Sequence, residues 1–295
     1  MWNSPDLLTL FYWIDEFCGG FIPVWNRQLL MNDEKKRIRE SSMSASEVIT
    51  IVIMFHHMRY RDFKTYYITQ VQKHWRAEFP NLVSYSRFVE VMSEYMIVLY
   101  ALARASCVKS SGINFIDSTT LKVCHNRRIH QNKVFAGTAQ RGKTSMGWFY
   151  GFKLHLSITD TGDLTNFLVT PGNISDVNEK VMKVISRKLW GKLFGDKGYL
   201  SKDIFNWLYT RGVQLITKLK RNMKNILMPL YDKLLLRKRA LIESVNDQLK
   251  NIYQIEHSRH RSVTNFFVNV FAGLVAYRFA PRRPSLHLDK SLTIC

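Results

Sequence analysis

Residues Phe149 to Asp160 (FYGFKLHLSITD) alternate with period two. Phe152, Leu154, Leu156 and Ile158 fall on one face, and Lys153, His155 and Ser157 on the other. A strand with one face buried suits that pattern, because successive side chains point to opposite sides of a sheet. Thr161-Gly162-Asp163 makes a turn, and Leu164 to Thr170 returns as a second strand before Pro171-Gly172-Asn173, so a hairpin is predicted. Beyond it the rhythm changes to alternation. A helix is predicted over about 176–188, a strand over 192–195, a helix over 202–210, a strand over 213–218 and a helical zone over about 230–255. A short apolar run, Ile113 to Ile116, precedes the hairpin. Strands first in a hairpin and then alternating with helices imply an α/β domain with a mixed sheet.

Residues 1 to about 108 are helical by pattern. Ser44-Ala45-Ser46-Glu47 has capping-box spacing and opens the apolar run Val48 to Met58. Phe88, Met92, Tyr95, Met96 and Leu102 recur near helical spacing, predicting a helix over 86–105. Between the two lie Tyr66, Tyr67, Lys73, His74, Trp75 and Arg76, a mixture that fits either an aromatic core or a DNA-binding face. The expected organisation is a helical region over 1–108, able to bind DNA ends, an α/β domain over 109–285 and a tail over 286–295.

Charge narrows the partners. Against 23 Asp and Glu the chain has 43 Lys and Arg, a net +20. Such a surplus favours a polyanion, nucleic acid first and an anionic membrane second, although a Lys-rich composition also follows from an AT-rich genome. The apolar stretch Phe266 to Phe279 contains Asn269 and Arg278 and is shorter than the ~20 residues a bilayer span needs, so a buried helix and no membrane are expected. The opening MWNSPDLLTLFYWIDEF carries Asp6 and no basic leader, against a secretory signal. Cys18, Cys107, Cys124 and Cys295 are far apart with no CxxC pair, which fits a reducing cytoplasm and no zinc site.

Two acids are placed alike in this pattern. Asp117 follows the apolar run 113–116, and Asp196 follows the run ending at Gly195, in LFGDKGYL. In open α/β sheets, side chains from separate strands converge at strand ends; each aspartate alone would equally serve as a cap or turn residue. A third acid lies in the predicted helix 235–252. There Leu235, Ile242, Val245, Leu249 and Ile252 form a core-facing stripe, and Arg239, Glu243, Asn246 and Lys250 share the neighbouring face. That face is either solvated or aimed at the strand ends. Three carboxylates meeting in a cleft repel one another, and divalent cations remove the conflict. Carboxylate oxygens suit Mg²⁺ or Mn²⁺, and two such ions can stabilise the attacking and leaving oxygens at a phosphate.

Residues 122–143 hold Lys122, His125, Arg127, Arg128, His130, Lys133, Arg141 and Lys143 and no acid, either a DNA-backbone contact or a solvated loop. Lys153 and His155 share one strand face, turned to DNA or, for His155, to the core. Tyr199 either packs beside the acids or caps the core. His257, Arg259, His260 and Arg261 form a basic group without the ligands of a metal site.

FIDST around Asp117, FGDKGY around Asp196 and the spacing Arg239-x3-Glu243-x6-Lys250, in that order, resemble the DDE-type insertion-sequence transposases of bacteria. The resemblance covers about residues 110–285. It includes IEHSRHRSVTNFFVNVFAGLVAYRFAPRRPSL, which is similar to one small-transposase group with a helical N-terminal part. The resemblance implies an RNase H-like mixed sheet flanked by helices, with Asp117, Asp196 and Glu243 as catalytic ligands of two Mg²⁺ or Mn²⁺ ions. It implies hydrolytic nicking at the element's ends and attack of the freed 3′-OH on target DNA, with Arg239 and Lys250 on phosphates near the cut. Its partners would be double-stranded DNA, as terminal inverted repeats and as target, and a second copy of the chain; no small-molecule cofactor is expected. Leu236 stands where the wider family often has a tyrosine, a departure that bears on base stacking and on a hairpin intermediate but not on the acids. An RNase H-like nuclease without strand transfer and a non-catalytic DNA-binding relic or repressor are the competing readings.

Overall fold

The computed structural model describes residues 5–32, 37, 41–218, 227–256 and 260–288. The chain divides into two compact units: 1–105 with 251–255 and 260–281, and 106–250 with 256–259 and 282–295. The first seam falls near the expected 108, but the helical unit also takes in the late segment 260–281.

In the helical unit, α1 (Leu7–Met31) starts at Asp6, whose carboxylate accepts the Thr9 N–H at 3.1 Å. α1 is long and apolar enough, by length and composition, to cross a membrane, and 17% of its most apolar window is buried. The apolarity argument built on 266–279 overlooks this helix, because Asp15 and Glu16 interrupt its apolar run. Asp15 accepts the Ser46 hydroxyl at 2.6 Å, tying α1 to α2 (Ala45–Met58). The capping box of α2 forms as its spacing predicts: Ser44 Oγ accepts the Glu47 N–H at 3.1 Å, and Ser44 N–H donates to Glu47 at 2.7 Å.

α3 (Phe63–Tyr66) passes through a π-helical turn (Tyr67–Val71) into α4 (Gln72–His74). Tyr66 and Tyr67 are fully buried among Phe55, Phe63 and Phe88, so these two aromatics are core. The helix predicted over 86–105 is two, α5 (Tyr85–Glu94) and α6 (Met96–Ala105), parted at Tyr95. Residues 266–279 form the buried helix expected of them, α11 (Val263–Arg278), which packs on α2 and α6.

The other unit is built on β1 (Ile113–Cys124), β2 (Gln140–Thr144), β3 (Gly147–Thr159), β4 (Leu164–Pro171), β5 (Gly191–Gly195) and β6 (Val213–Thr217). Its remaining helices are α7 (Glu179–Ile185), α8 (Lys202–Tyr209), α9 (Leu230–Arg237) and α10 (Ala240–Asp247). β3 pairs antiparallel with β1 along one edge; its other edge is shared by β2 at the start and β4 along the rest. β1, β5 and β6 then run parallel. The result is a mixed, RNase H-like sheet. Ile116 packs with Met182 and Ile185 of α7 and Ile204 and Leu208 of α8. Side chains alternate along a strand, so the neighbouring Asp117 points to the opposite face, where α10 lies against β1.

β1 is longer than its apolar run. The sequence puts its end at Asp117, yet it continues to Cys124, because β3 goes on pairing with it and Leu121 and Val123 are buried. The polar stretch Ser118-Thr119-Thr120 hid this continuation. At the register shift between Lys122 and Cys124, Gly151 has φ +155°, and a Cβ there would lie 2.0 Å from the Leu121 carbonyl oxygen. Gly151→Ala is therefore expected to lower stability by about 3 kcal/mol through backbone strain and forced displacement. A wild-type denaturant midpoint would refute this.

Candidate active site

The last parallel pair of β1 and β5 is Phe115 with Phe194. Continuing that register puts Ile116 level with Gly195, and a Cβ on Gly195 would meet Ile116 Cγ2 at 3.1 Å. One step further, Asp117 is level with Asp196. Adjacent strands lie ~4.8 Å apart, so two acids distant in sequence are brought side by side where β5 stops. The strand end that matters is that of β5, since β1 itself runs on. Asp196 turns the chain into a short 3₁₀ turn (Lys197–Tyr199), accepting the Lys197 N–H at 2.8 Å.

α10 supplies the third side. Chain direction breaks at Lys238-Arg239, so the long helix expected over 235–252 is α9, then α10, then a π-helical turn (Gln248–Ile252). The stripe still buries Leu235, Ile242, Val245 and Leu249. The neighbouring face meets β1 as its spacing predicts. Asn246 donates to Asp117 Oδ2 at 3.2 Å and Lys250 to Thr120 Oγ1 at 3.4 Å, while Arg239 pairs with Glu243 at 2.8 Å. Glu256 closes the far end, pairing with Lys250 at 3.0 Å and accepting the Lys122 N–H at 3.0 Å.

Burial pushes the Asp117 carboxyl up to about 6, against the Ser118 N–H and the Arg239 guanidinium, which pull it down; Glu243 and Asp176 add to the rise. Negative charge is crowded here. Among the described residues no three His, Cys, Asp or Glu side chains lie close enough to hold one ion, so the expected cluster of three carboxylates is not closed. Like charges explain the spread, because each acid takes a local partner: Asp117 takes Asn246, Asp196 the Lys197 N–H, and Glu243 its own helix's Arg239.

The other face of the sheet carries Lys153 and His155, which stand opposite Thr120 and Ser118 of β1. Both are buried, with 8% and 1% exposure. Lys153 binds Asp176 at 3.1 Å, and His155 lies between Thr170 at 2.9 Å and Asp176 at 3.7 Å. Burial lowers His155 to about 4, offset in part by Asp176, so its ring is neutral and turned inward rather than to the surface. Tyr199 is a core residue beneath the acids; burial, then Asp117 and Asp176, raises its phenol well above the usual range.

Lys122, Arg127 and Arg128 are exposed, the last two on a 3₁₀ turn (Asn126–Gln131) between β1 and the unforeseen strand β2. His257 and Arg259 lie outside the described residues. Two participants escaped the sequence reading. Asp176 follows an unremarkable Asn-Ile-Ser in a loop, and Glu256 lies past the helix; neither has a spacing that ties it to the acids.

No curated protein matches the chain. A family model described as the transposase DDE domain matches residues 107–263, which is more than half of the sequence and spans β1 with Asp117, the turn with Asp196 and α10 with Glu243. The chain therefore belongs to the transposase DDE domain family.

Proposed function

We propose that this transposase serves a bacterial insertion sequence, nicking DNA at the element's ends and joining each freed 3′-OH to target DNA. The observation that carries it is the level placement of Asp117 and Asp196 at the end of β5, with the Arg239-Glu243-Asn246-Lys250 face of α10 against the same point. Asp117, Asp196 and Glu243 would hold two Mg²⁺ or Mn²⁺ ions. The donors fit: all are hard oxygens, and burial among other acids leaves Asp117 in want of positive charge. When bound, such ions polarise the phosphate and stabilise the entering and leaving oxygens.

The chain's own groups do the rest. Asn246 holds the Asp117 carboxylate in place. Glu243, with a half-exposed side chain, turns from Arg239 to the ions, and the released guanidinium binds a phosphate bidentately. Lys250 adds a second cation near the cut, while Lys122, Arg127 and Arg128 neutralise the backbone beyond it. Lys153 and His155 act indirectly, by fixing Asp176. Two DNA ends call for two copies of the chain, working in the cytoplasm.

The test uses end-containing DNA with Mg²⁺, Mn²⁺ or EDTA, and pre-cut ends bearing free 3′-OH groups. Metal-dependent nicks together with joined products are expected. Nicks without joining would mean a plain nuclease, and binding with neither would mean a non-catalytic relic.

A further inference from the structure

A cavity of about 440 Å³ opens on the Lys153 face of the sheet, walled by the β2–β3 hairpin, the loop 172–177 after β4 and Gly198 of the turn that begins at Asp196. Its mouth carries Trp148, 56% exposed. Lys143 pairs directly opposite Trp148 in the hairpin, and Arg141 lies two residues back on the same face; each cation is 5.6 Å from the indole ring. Among the described residues neither cation has a carboxylate partner. At the inner end Lys153 and Asp176 present a paired ammonium and carboxylate at 3.1 Å.

The cavity wall depends on two glycines. A Cβ on Gly142 would lie 2.2 Å from the Gly172 carbonyl oxygen, and one on Gly172 would lie 2.7 Å from that of Gln140. Only without side chains do β2 and the end of β4 meet on the same edge of β3, which is what brings the Trp148 hairpin over the loop.

An aromatic plate beside two open cations, with a donor and an acceptor behind, matches one chemistry: a planar base attached to a phosphate. The volume is in the range of pockets that enclose a small ligand. Bases in a duplex are stacked on one another and offer the indole no face, whereas an unpaired base does. We propose that this cavity binds one unpaired nucleotide of the DNA strand passing the acids, its base stacked on Trp148 and its phosphate held by Arg141 and Lys143. The inference rests on the transposase reading and adds a subsite to it. Gly198, two residues beyond Asp196, puts the cavity within one nucleotide's reach of the cut.

The test compares Trp148→Ala and Trp148→Phe in a cleavage-silent Asp117→Asn background, measuring affinity for a fully paired duplex and for the same duplex with a short unpaired tail. Stacking lost by Trp148→Ala should weaken tailed DNA roughly 5- to 150-fold. The paired duplex should change little, and Trp148→Phe should recover most of the loss. Equal losses on both DNAs, or none on the tailed one, would overturn the subsite. Unchanged duplex binding by Trp148→Ala also shows that the variant is folded. A parent protein that binds neither DNA would overturn the transposase reading itself, a different result from indifference to Trp148.

Discussion

Asp117→Asn is expected to give a protein that binds DNA and does not cut it. The substitution keeps the shape of the side chain and leaves an oxygen to accept from Asn246, so the contact between β1 and α10 survives. What it removes is a charged oxygen ligand at the centre of the site. Loss of metal-assisted charge stabilisation is worth several kcal/mol, and each 1.36 kcal/mol is a tenfold change, so nicking should fall about a thousandfold or more. Asp196→Asn and Glu243→Gln are expected to do the same. Binding should hold or tighten, because a negative charge facing phosphates has been withdrawn. Stability gives an independent signature. Burial holds Asp117 at about 6, so its carboxylate is disfavoured by folding at pH 7, and the neutral amide should melt no lower than the parent. Normal cutting by any one of the three variants would remove that residue from the site.

Arg239 should behave differently from the acids. Its partner within the helix is Glu243, and it also acts on Asp117. Removing it frees Glu243 while taking away a phosphate contact, so binding and cutting should both decline, whereas neutralising an acid affects cutting alone.

These acids could be singled out before any coordinates because strand and helix periodicities are short-range. The alternation in 149–160 and the stripe 235–249 are set by which faces are buried, and both appear as expected. The offset of four, three and four on α10 was enough to foresee that Arg239, Asn246 and Lys250 would share one surface. Where the signal was weaker, the sequence misled. Ser118-Thr119-Thr120 looked like the end of β1, but their pairing is imposed by β3, a tertiary choice that polar β-branched residues accept without declaring it. β2 has five residues, two of them basic and one glycine, and its identity comes from the edge it borrows on β3. His155 is the sharpest case. Alternation placed it with Lys153 on the polar face, yet that face is covered too, and Asp176 turns both groups inward. A partner twenty residues away in a loop leaves no periodic trace.

Acidification should loosen the helical unit in a way that two adjacent histidines control. His56 and His57 are both buried in α2, His56 against the Tyr253 carbonyl and His57 edge-on to the Tyr253 ring at 5.7 Å. Burial lowers His56 to about 4, with the Tyr253 carbonyl opposing. It lowers His57 to about 3, helped by the neighbouring His56. Both folded-state values lie below the ordinary 6.5, so as pH falls through 6.5 the unfolded chain takes up protons that the folded one refuses. The stability of the unit is then full above about 6.5 and is lost progressively toward the folded values, by up to ~1.4 kcal/mol per pH unit for each histidine. At pH 5 the pair together should have lost about 4 kcal/mol, a large share of an ordinary domain's 5–15 kcal/mol. His57→Phe keeps an aromatic ring against Tyr253 and removes one titrating group. Denaturant unfolding followed at pH 7 and pH 5 should show about half the wild-type loss in this variant, with no penalty at pH 7. An unchanged pH dependence would mean that His57 is protonated in the folded chain, and the burial ascribed to it would be wrong.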